Sequence, residues 1–243
     1  FIKEFAAYLS TEAGLRNGSI WANCMWLKGV VMKAHYNGLI PRNPFIQFHI
    51  SPNVKEREYL TEDELKAVMT HEFADSKLAY IRDIFIFASF TALSFVDIQE
   101  LTNDNIVEVN GEKWILSKRH KTKVAFQVKL LDIPLQIVER YRPMQKDNRI
   151  FPGLNYWSIC KPLKRMIREC GITKSISFHC SRHGFATLAL SKGMPIESVS
   201  RVLGHTNIVT TQLYAKITTQ KLDNDLTMFG DKLSKTFNGI TMS

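Results

Sequence analysis

Apolar residues recur at helical spacing along most of the chain and alternate at strand spacing in one short region. Among the first fifty residues, Trp21, Met25, Val30 and Ala34 fall near one face of a helix that Asn37-Gly38 stops, and Pro41, Pro44 and Pro52 then break the pattern. Ser51 to Glu58 is polar and charged without apolar periodicity, which predicts a linker. Thr61, with Glu64 three residues on and acids between, has the spacing of a capping box and predicts a new helix start. From Leu78 to Phe95 apolar side chains (Ile81, Ile84, Phe85, Phe87, Ala88, Phe90, Leu93) cover most of a helix surface, as in a buried core helix. Ile106 to Val109 and Trp114 to Leu116 flank Asn110-Gly111, a pair that accepts the positive φ values of a type I′ hairpin turn. Val124 to Leu130 is a third β-prone run, after the basic turn Lys118 to Lys123. Helical patterns return over roughly 135–141, 158–169, 178–190, 195–203 and 207–217. The expected fold is mainly α with a small antiparallel β-sheet, divided into a partial helical domain at 1–52, a linker at 53–58, a larger domain at 59–219 and a tail at 220–243.

Composition narrows the class. A chain of 243 residues with 45% hydrophobic content can bury one sizeable core, or one such core plus a smaller satellite domain. It has no apolar run of about 18 residues to span a bilayer, and Phe1-Ile2-Lys3-Glu4 is neither a signal peptide nor an initiator start, so a soluble cytoplasmic fragment is expected. Cys24, Cys160, Cys170 and Cys180 form no CxxC pair, which excludes zinc-ribbon and thioredoxin readings and suits a reducing compartment. Thirty-two Lys and Arg against 23 Asp and Glu give a net charge of +9, enough to attract a polyanion. Lys113, Lys118, Arg119, Lys121, Lys123 and Lys129 lie in one acid-free stretch, and Lys161, Lys164, Arg165, Arg168 and Lys174 face only Glu169. Either run alone reads as a solvated face. Beside the motifs that follow, both point to a phosphate backbone.

Three stretches near the C-terminus carry candidate chemistry: His179-Cys180-Ser181-Arg182-His183, Leu203-Gly204-His205 and Thr211-Gln212-Leu213-Tyr214-Ala215. A lone His or Tyr on an amphipathic helix is ordinarily a packed or capping residue. Here His179, Arg182 and His183 share one helical face, opposite Phe185, Leu188 and Ala189. Gly193, Pro195 and Gly204 then make tight connections that turn His205 and the helix expected to carry Tyr214 towards that face. A zinc site using His179 and His183 with Cys180 or His205 is the alternative, but the Glu of an HExxH pattern is missing and Arg182 would repel the cation. A cation-rich pocket suits an anion. Metal-free phosphoryl transfer needs positive charge on the non-bridging oxygens, a proton donor for the leaving group and a placed nucleophile.

The order HxxR (His179, Arg182), LGH (Leu203 to His205) and then Tyr214 resembles the C-terminal signature of tyrosine recombinases, the phage-type integrases. Asp97-Ile98-Gln99-Glu100-Leu101-Thr102 resembles the helix that follows the family's first arginine, and Lys121-Thr122 its catalytic lysine turn, so the likeness runs from about Tyr59 to Lys216. The resemblance implies that Arg182 clamps the scissile phosphate, that His179 and His205 donate to it or manage protons, that Lys121 protonates the leaving 5′ oxygen, and that Tyr214 attacks to give a 3′-phosphotyrosyl enzyme. It implies no metal and no other cofactor. It also implies that 1–52 is part of a DNA-clamping core-binding domain, that double-stranded DNA is the partner and that a tetramer assembles on DNA; the two basic runs then make Lys118, Lys123, Lys161, Lys164, Arg165 and Arg168 the expected contacts.

One departure is specific. The family's first arginine ordinarily follows Thr-Gly-Leu, whereas this chain reads Thr91-Ala92-Leu93-Ser94. A hydroxyl does not replace a guanidinium opposite a doubly charged transition state, and loss of one such donor typically costs about 100-fold or more. Integrases of conjugative transposons from Bacteroides-like bacteria resemble this arrangement, with an arginine supplied from the β-hairpin, and Arg119 is the residue expected to fill that role. The rival reading is a catalytically impaired recombinase-fold DNA-binding regulator, supported by Ser94. A basic RNA-binding module lacks the stacking motifs it would need. The tail, with Leu222, Leu226, Met228, Phe229 and Phe237, is read either as self-packing or disordered, or as docking on a neighbouring subunit.

Overall fold

A computed structural model describes residues 1–51, 58–120, 123–145, 147–215 and 219–236. The chain divides into two units, Phe1–Glu56 and Arg57–Ser243. Of the stretch expected to link two domains, residues 52–57 lie outside the described residues.

The first unit pairs α1 (Ile2–Thr11) with α2 (Asn17–Tyr36). Its apolar centre is Leu9, Ile20 and Cys24, with Phe5, Leu15, Met25, Phe48 and Ile50 packed around them. This corrects the face expected on α2, because Trp21 and Met25 are only half-buried and Val30 is exposed. Length explains the difference. The 10 residues of α1 rise about 15 Å and the 20 of α2 about 30 Å, so α1 can cover no more than half of its partner.

In the second unit, α3 (Glu62–Thr70) starts at the Thr61 capping box, with Thr61 Oγ1 accepting from the Glu64 N–H and Glu64 accepting from the Thr61 N–H. α4 (Ser76–Thr91) is capped by Asp75 and is buried on most of its surface, as its apolar density requires. α5 (Phe95–Gln99) follows, and then an antiparallel sheet of β1 (Ile106–Val109), β2 (Glu112–Lys118) and β3 (Ala125–Lys129) in the order β1-β2-β3. The hairpin turn has φ 53° at Asn110 and 78° at Gly111, which an Asn-Gly pair accepts at little steric cost. Ile115 pairs with Ile106 on one side and Val128 on the other, and Ile115, Phe126 and Val128 point inward. The remaining helices are α6 (Asp132–Tyr141), α7 (Tyr156–Glu169), α8 (His179–Ser191), α9 (Ile196–Leu203), α10 (Val209–Gln212) and α11 (Thr219–Thr236). α4 is the hub, packed against α3, α6, α7 and α8, while α9 lies on β3. The main core contains Phe85, Phe87, Ile98, Ile115, Phe151 and Leu163; a smaller cluster of Ala92, Ala186, Leu190, Val199 and Leu203 lies beneath α9 and Tyr214.

The C-terminal helix differs from the expectation of one run over 207–217. α10 ends at Gln212, Tyr214 sits in the turn just after it, and the tail forms the separate helix α11. Four β-branched residues in succession, Ile208 to Thr211, give α10 low helix propensity over most of its length.

Asp83 is the main buried charge of the hub, at 3% exposure. It accepts from Arg82 Nε at 2.9 Å, Arg140 Nη1 at 2.7 Å and the Tyr141 hydroxyl at 2.8 Å, joining α4 to α6. Asp83→Ala would strand the buried Tyr141 hydroxyl and the inner face of two guanidinium groups. Loss of about 3 kcal/mol is expected, the lower end for a broken buried pair because Arg140 keeps access to water. Urea denaturation should show a lower midpoint with an unchanged m-value. Tyr141→Phe, which removes one hydrogen bond, should cost only about 1 kcal/mol.

Candidate active site

The site is assembled around the C-terminal end of α9. A helix leaves its last four carbonyls without intrahelical partners. Here the Ser200 carbonyl accepts from the His205 N–H at 3.0 Å and the Arg201 carbonyl from the Gly204 N–H at 3.0 Å. The next two are taken by side chains from elsewhere: Arg119 Nη2 donates to the Val202 carbonyl at 2.5 Å, and Arg182 Nη2 donates to the Leu203 carbonyl. Two guanidinium groups are thereby held on adjacent carbonyls, immediately before His205.

Each arginine has a second anchor. Arg182, on the inner face of α8, donates through Nη1 to the Ala92 carbonyl at 2.7 Å. Ala92 ends α4 with φ 56° and ψ 17°, a left-handed conformation that costs an L residue about 1–2 kcal/mol. Ala92 thus holds a conformation that a glycine would adopt without this cost. Arg119 follows β2 at the base of the basic turn, where its N–H donates to the Val124 carbonyl and its carbonyl accepts from the Lys123 N–H, both at 2.8 Å. Its Nη1 donates to Asp97 Oδ2 at 2.7 Å, and its Cζ lies 4.1 Å from the centre of the Phe126 ring. Both arginines are buried, at 6% exposure for Arg119 and 9% for Arg182. Burial pushes the Arg182 guanidinium down to about 10, with the charge of Arg119 acting in the same direction and Tyr214 and Asp97 opposing it.

Gly204, at φ 62°, is required by close approach as well as by its backbone angle: a Cβ there would lie 2.8 Å from Arg119 Nε. That Nε is, among the described residues, the buried side-chain nitrogen or oxygen without a hydrogen-bond partner.

Ser94 stands where the resemblance places the first arginine, and its role is local. It caps α5, accepting from the Asp97 N–H at 3.4 Å and donating to Asp97 Oδ2 at 2.7 Å. Asp97 is also held by the His120 N–H at 3.0 Å. Burial acts to raise the Asp97 carboxyl, but the His120, Arg119 and Ser94 hydrogen bonds with the Arg119 charge hold it below its usual range. Ser94 and Arg119 are thus joined through one ionised carboxylate. Asp97 was visible only as part of a family-like helix, although its three-residue spacing from Ser94 is that of a capping box.

His179 is exposed at the start of α8, its ring 4.8 Å from that of His183, which lies 5.0 Å from the Tyr214 ring. Tyr214 is half-buried against the small cluster. His205 Nδ1 lies 2.9 Å from the hydroxyl of the fully buried Thr211, a partner that no sequence pattern singled out. Burial, reinforced by Arg182, Arg119 and His179, pushes His205 down to about 4. The unfolded chain therefore binds more protons than the fold between about pH 4 and 6.5, so the stability from a neutral His205 is present above the unfolded value and is lost as pH falls through this window. Unfolding near pH 5 is expected to take up nearly one extra proton per molecule, and His205→Gln should flatten the fall in melting temperature between pH 7 and pH 5. Equal slopes for both proteins would disprove this assignment.

Lys121 lies outside the described residues. Lys118 and Lys123 are exposed on either side of its turn, and Lys161, Lys164 and Arg168 are exposed along α7. Arg165 is exposed too, but its guanidinium pairs with Asp75 at 3.3 Å and Glu169 at 2.7 Å, and Lys174 pairs with Glu64 at 2.6 Å, so the second basic run is partly neutralised. Cys180, buried, is hydrogen-bonded to Ser177.

Comparison with known proteins gives a consistent set of likenesses. The family described as Phage integrase family matches residues 58–221. Tyrosine recombinase XerA of Pyrococcus horikoshii is 32% identical over 177 residues, which are 67% of this chain and 58% of that protein's length. Tyrosine recombinase XerC of Lactobacillus leichmannii is 25% identical over 229 residues, 88% of this chain and 77% of that protein. Among solved structures, the Tn1549 transposon integrase in complex with a circular intermediate DNA has a TM-score of 0.80 at 18% identity, covering 93% of this chain and 84% of that one. The XerH site-specific recombinase bound to a palindromic difH substrate has a TM-score of 0.72 at 20% identity, covering 94% and 72%.

Proposed function

The chain belongs to the phage integrase family, and from that premise we propose that it is a site-specific DNA recombinase that cleaves and rejoins strands through a bond between Tyr214 and a 3′ phosphate. The observation that carries the reading is the placement of Arg119 and Arg182 on consecutive carbonyls of α9, next to His205. Positive charge concentrated in a partly desolvated corner favours a phosphodiester and the extra charge of its transition state.

In this mechanism the Tyr214 oxygen attacks phosphorus, the 5′ oxygen leaves in line and takes a proton, and the bond energy is retained in the phosphotyrosine. Attack by a 5′ hydroxyl of a partner duplex reverses the step and joins new ends. Arg182 and Arg119 supply the charge beside the phosphate, the neutral His205 a ring N–H, and His179 a further donor. Lys121 is assigned the leaving-group proton by resemblance alone. Lys118, Lys123, Lys161, Lys164 and Arg168 are assigned to the DNA backbone, with Arg165 secondary because of its two acidic partners.

Ser94 with Arg119 in reserve is the arrangement that resembles integrases of conjugative transposons, and the proposal extends to integration or excision of a mobile element. The extension includes a tetramer on double-stranded DNA: Leu222, Leu226, Phe229 and Leu233 form one stripe along α11 and are 39–59% exposed, and a neighbouring subunit is its proposed cover. The rival regulator reading rests on Ser94, and the second buried arginine weighs against it.

The test is a nicked duplex carrying candidate element-end sequence, incubated with the protein in a chelator. A protease-sensitive covalent adduct whose peptide maps to Tyr214 is expected. Tight binding without any adduct would favour the regulator.

A further inference from the structure

A cavity of about 180 Å³ opens beside Arg182 and is lined by Ser94, Phe95, Tyr156, Phe178, His179 and Arg182, among others. Its floor is aromatic: the Phe95 ring lies 5.2 Å from Phe178 and 5.4 Å from Tyr156, both nearly edge to face. Phe95 and Phe178 are buried, while Tyr156, at the first position of α7, is 47% exposed and forms an open wall. Room exists because residue 94 is small; a long side chain there would start at the cavity wall.

The volume is below the roughly 300 Å³ at which pockets for drug-sized ligands begin. An occupant that small is suited to being one unit of a polymer anchored elsewhere. The rim identifies the anchor, since Arg182 and His179 are the groups assigned to the scissile phosphate and the occupant must then be directly bonded to it. An aromatic wall with no charged floor fits the flat face of a nucleobase.

The side of the phosphate follows from the row of rings. His179, His183 and Tyr214 follow one another in ring contact, with centroid spacings of 4.8 and 5.0 Å, and of the three only His179 lines the cavity. In-line displacement puts the nucleophile and the leaving oxygen on opposite sides of phosphorus. We propose that this cavity is a subsite for the nucleoside bearing the leaving 5′ oxygen, with Tyr156 as the residue that stacks on or walls its base. The inference rests on the recombinase reading and adds to it a determinant of which bond is cut.

The experiment measures single-turnover adduct formation on nicked duplexes that keep the leaving nucleoside intact, or carry an abasic tetrahydrofuran at that position or at the position on the other side of the scissile phosphate. Wild-type protein should lose about tenfold in rate with the abasic leaving nucleoside and under twofold with the other. Tyr156→Ala should lose about tenfold on the intact duplex and nothing more on the abasic one, because both changes remove the same contact. Multiplying effects, or equal rates on all three duplexes with wild-type protein, would overturn the subsite while leaving recombinase activity in place. A wild-type protein forming no adduct with any duplex would overturn the recombinase reading, and the subsite with it.

Discussion

Tyr214→Phe is expected to bind a nicked duplex as tightly as the wild type and to form no covalent adduct with it. The substitution removes one oxygen and keeps the ring, which packs against the cluster of Ala92, Ala186, Leu190, Val199 and Leu203. A stability change within about 1.5 kcal/mol is expected, the usual scale for one hydrogen bond. Without the phenolic oxygen the phosphoryl group has nothing to bond to, so the loss should reach background rather than a fraction. Gel retardation would report binding, and denaturing electrophoresis with and without protease the adduct. An adduct that persists in the variant would remove Tyr214 from the mechanism.

The second large effect is expected at Arg119. Replacing it with Ala should slow strand cleavage by about 100-fold or more, whereas Ser94→Ala should change the rate by no more than about threefold. The geometry explains the contrast. Arg119, although paired with Asp97, places a guanidinium on the Val202 carbonyl beside Arg182, while the Ser94 hydroxyl is spent on Asp97 and the start of α5. Ser94→Ala should therefore appear mainly as about 1 kcal/mol of lost cap stability.

Arg119→Ala has a structural consequence that needs its own control, because it leaves the Asp97 carboxylate buried without its guanidinium. Breaking such a pair typically costs about 3–5 kcal/mol. The double variant Arg119→Ala/Asp97→Ala removes the stranded charge, so it should recover much of the thermal stability and none of the cleavage. Recovery of both would make Arg119 a structural residue. Cleavage equally sensitive to Ser94→Ala would return the missing role to position 94.

Much of the architecture is local enough to be read in one dimension. The Thr61 and Glu64 box, the Asn110-Gly111 turn and the apolar density of α4 each act within a few residues of chain, and each takes the expected form. The His179, Arg182 and His183 spacing was legible too, but not which way it faces: Arg182 is buried with Ala186 and Leu190, whereas His179 is exposed and Phe185, Leu188 and Ala189 are half-buried. Where an outcome depended on how far a partner element extends, the pattern misled. Val30 fits an apolar stripe, but α1 is too short to reach it, and the helix expected to carry Tyr214 ends before it.

By itself, then, the amino-acid order determined the helical class with its small sheet, the basic character and a set of candidate residues for a phosphate. Only the tertiary structure decided that Arg119 and Arg182 share the end of α9, that Asp97 links Ser94 to Arg119, and that Thr211 supports His205. The reason is physical. Periodicity and capping report interactions along a single element, whereas these contacts depend on packing between elements remote in the chain, where one exposed carbonyl or one missing Cβ at Gly204 settles which side chain can enter.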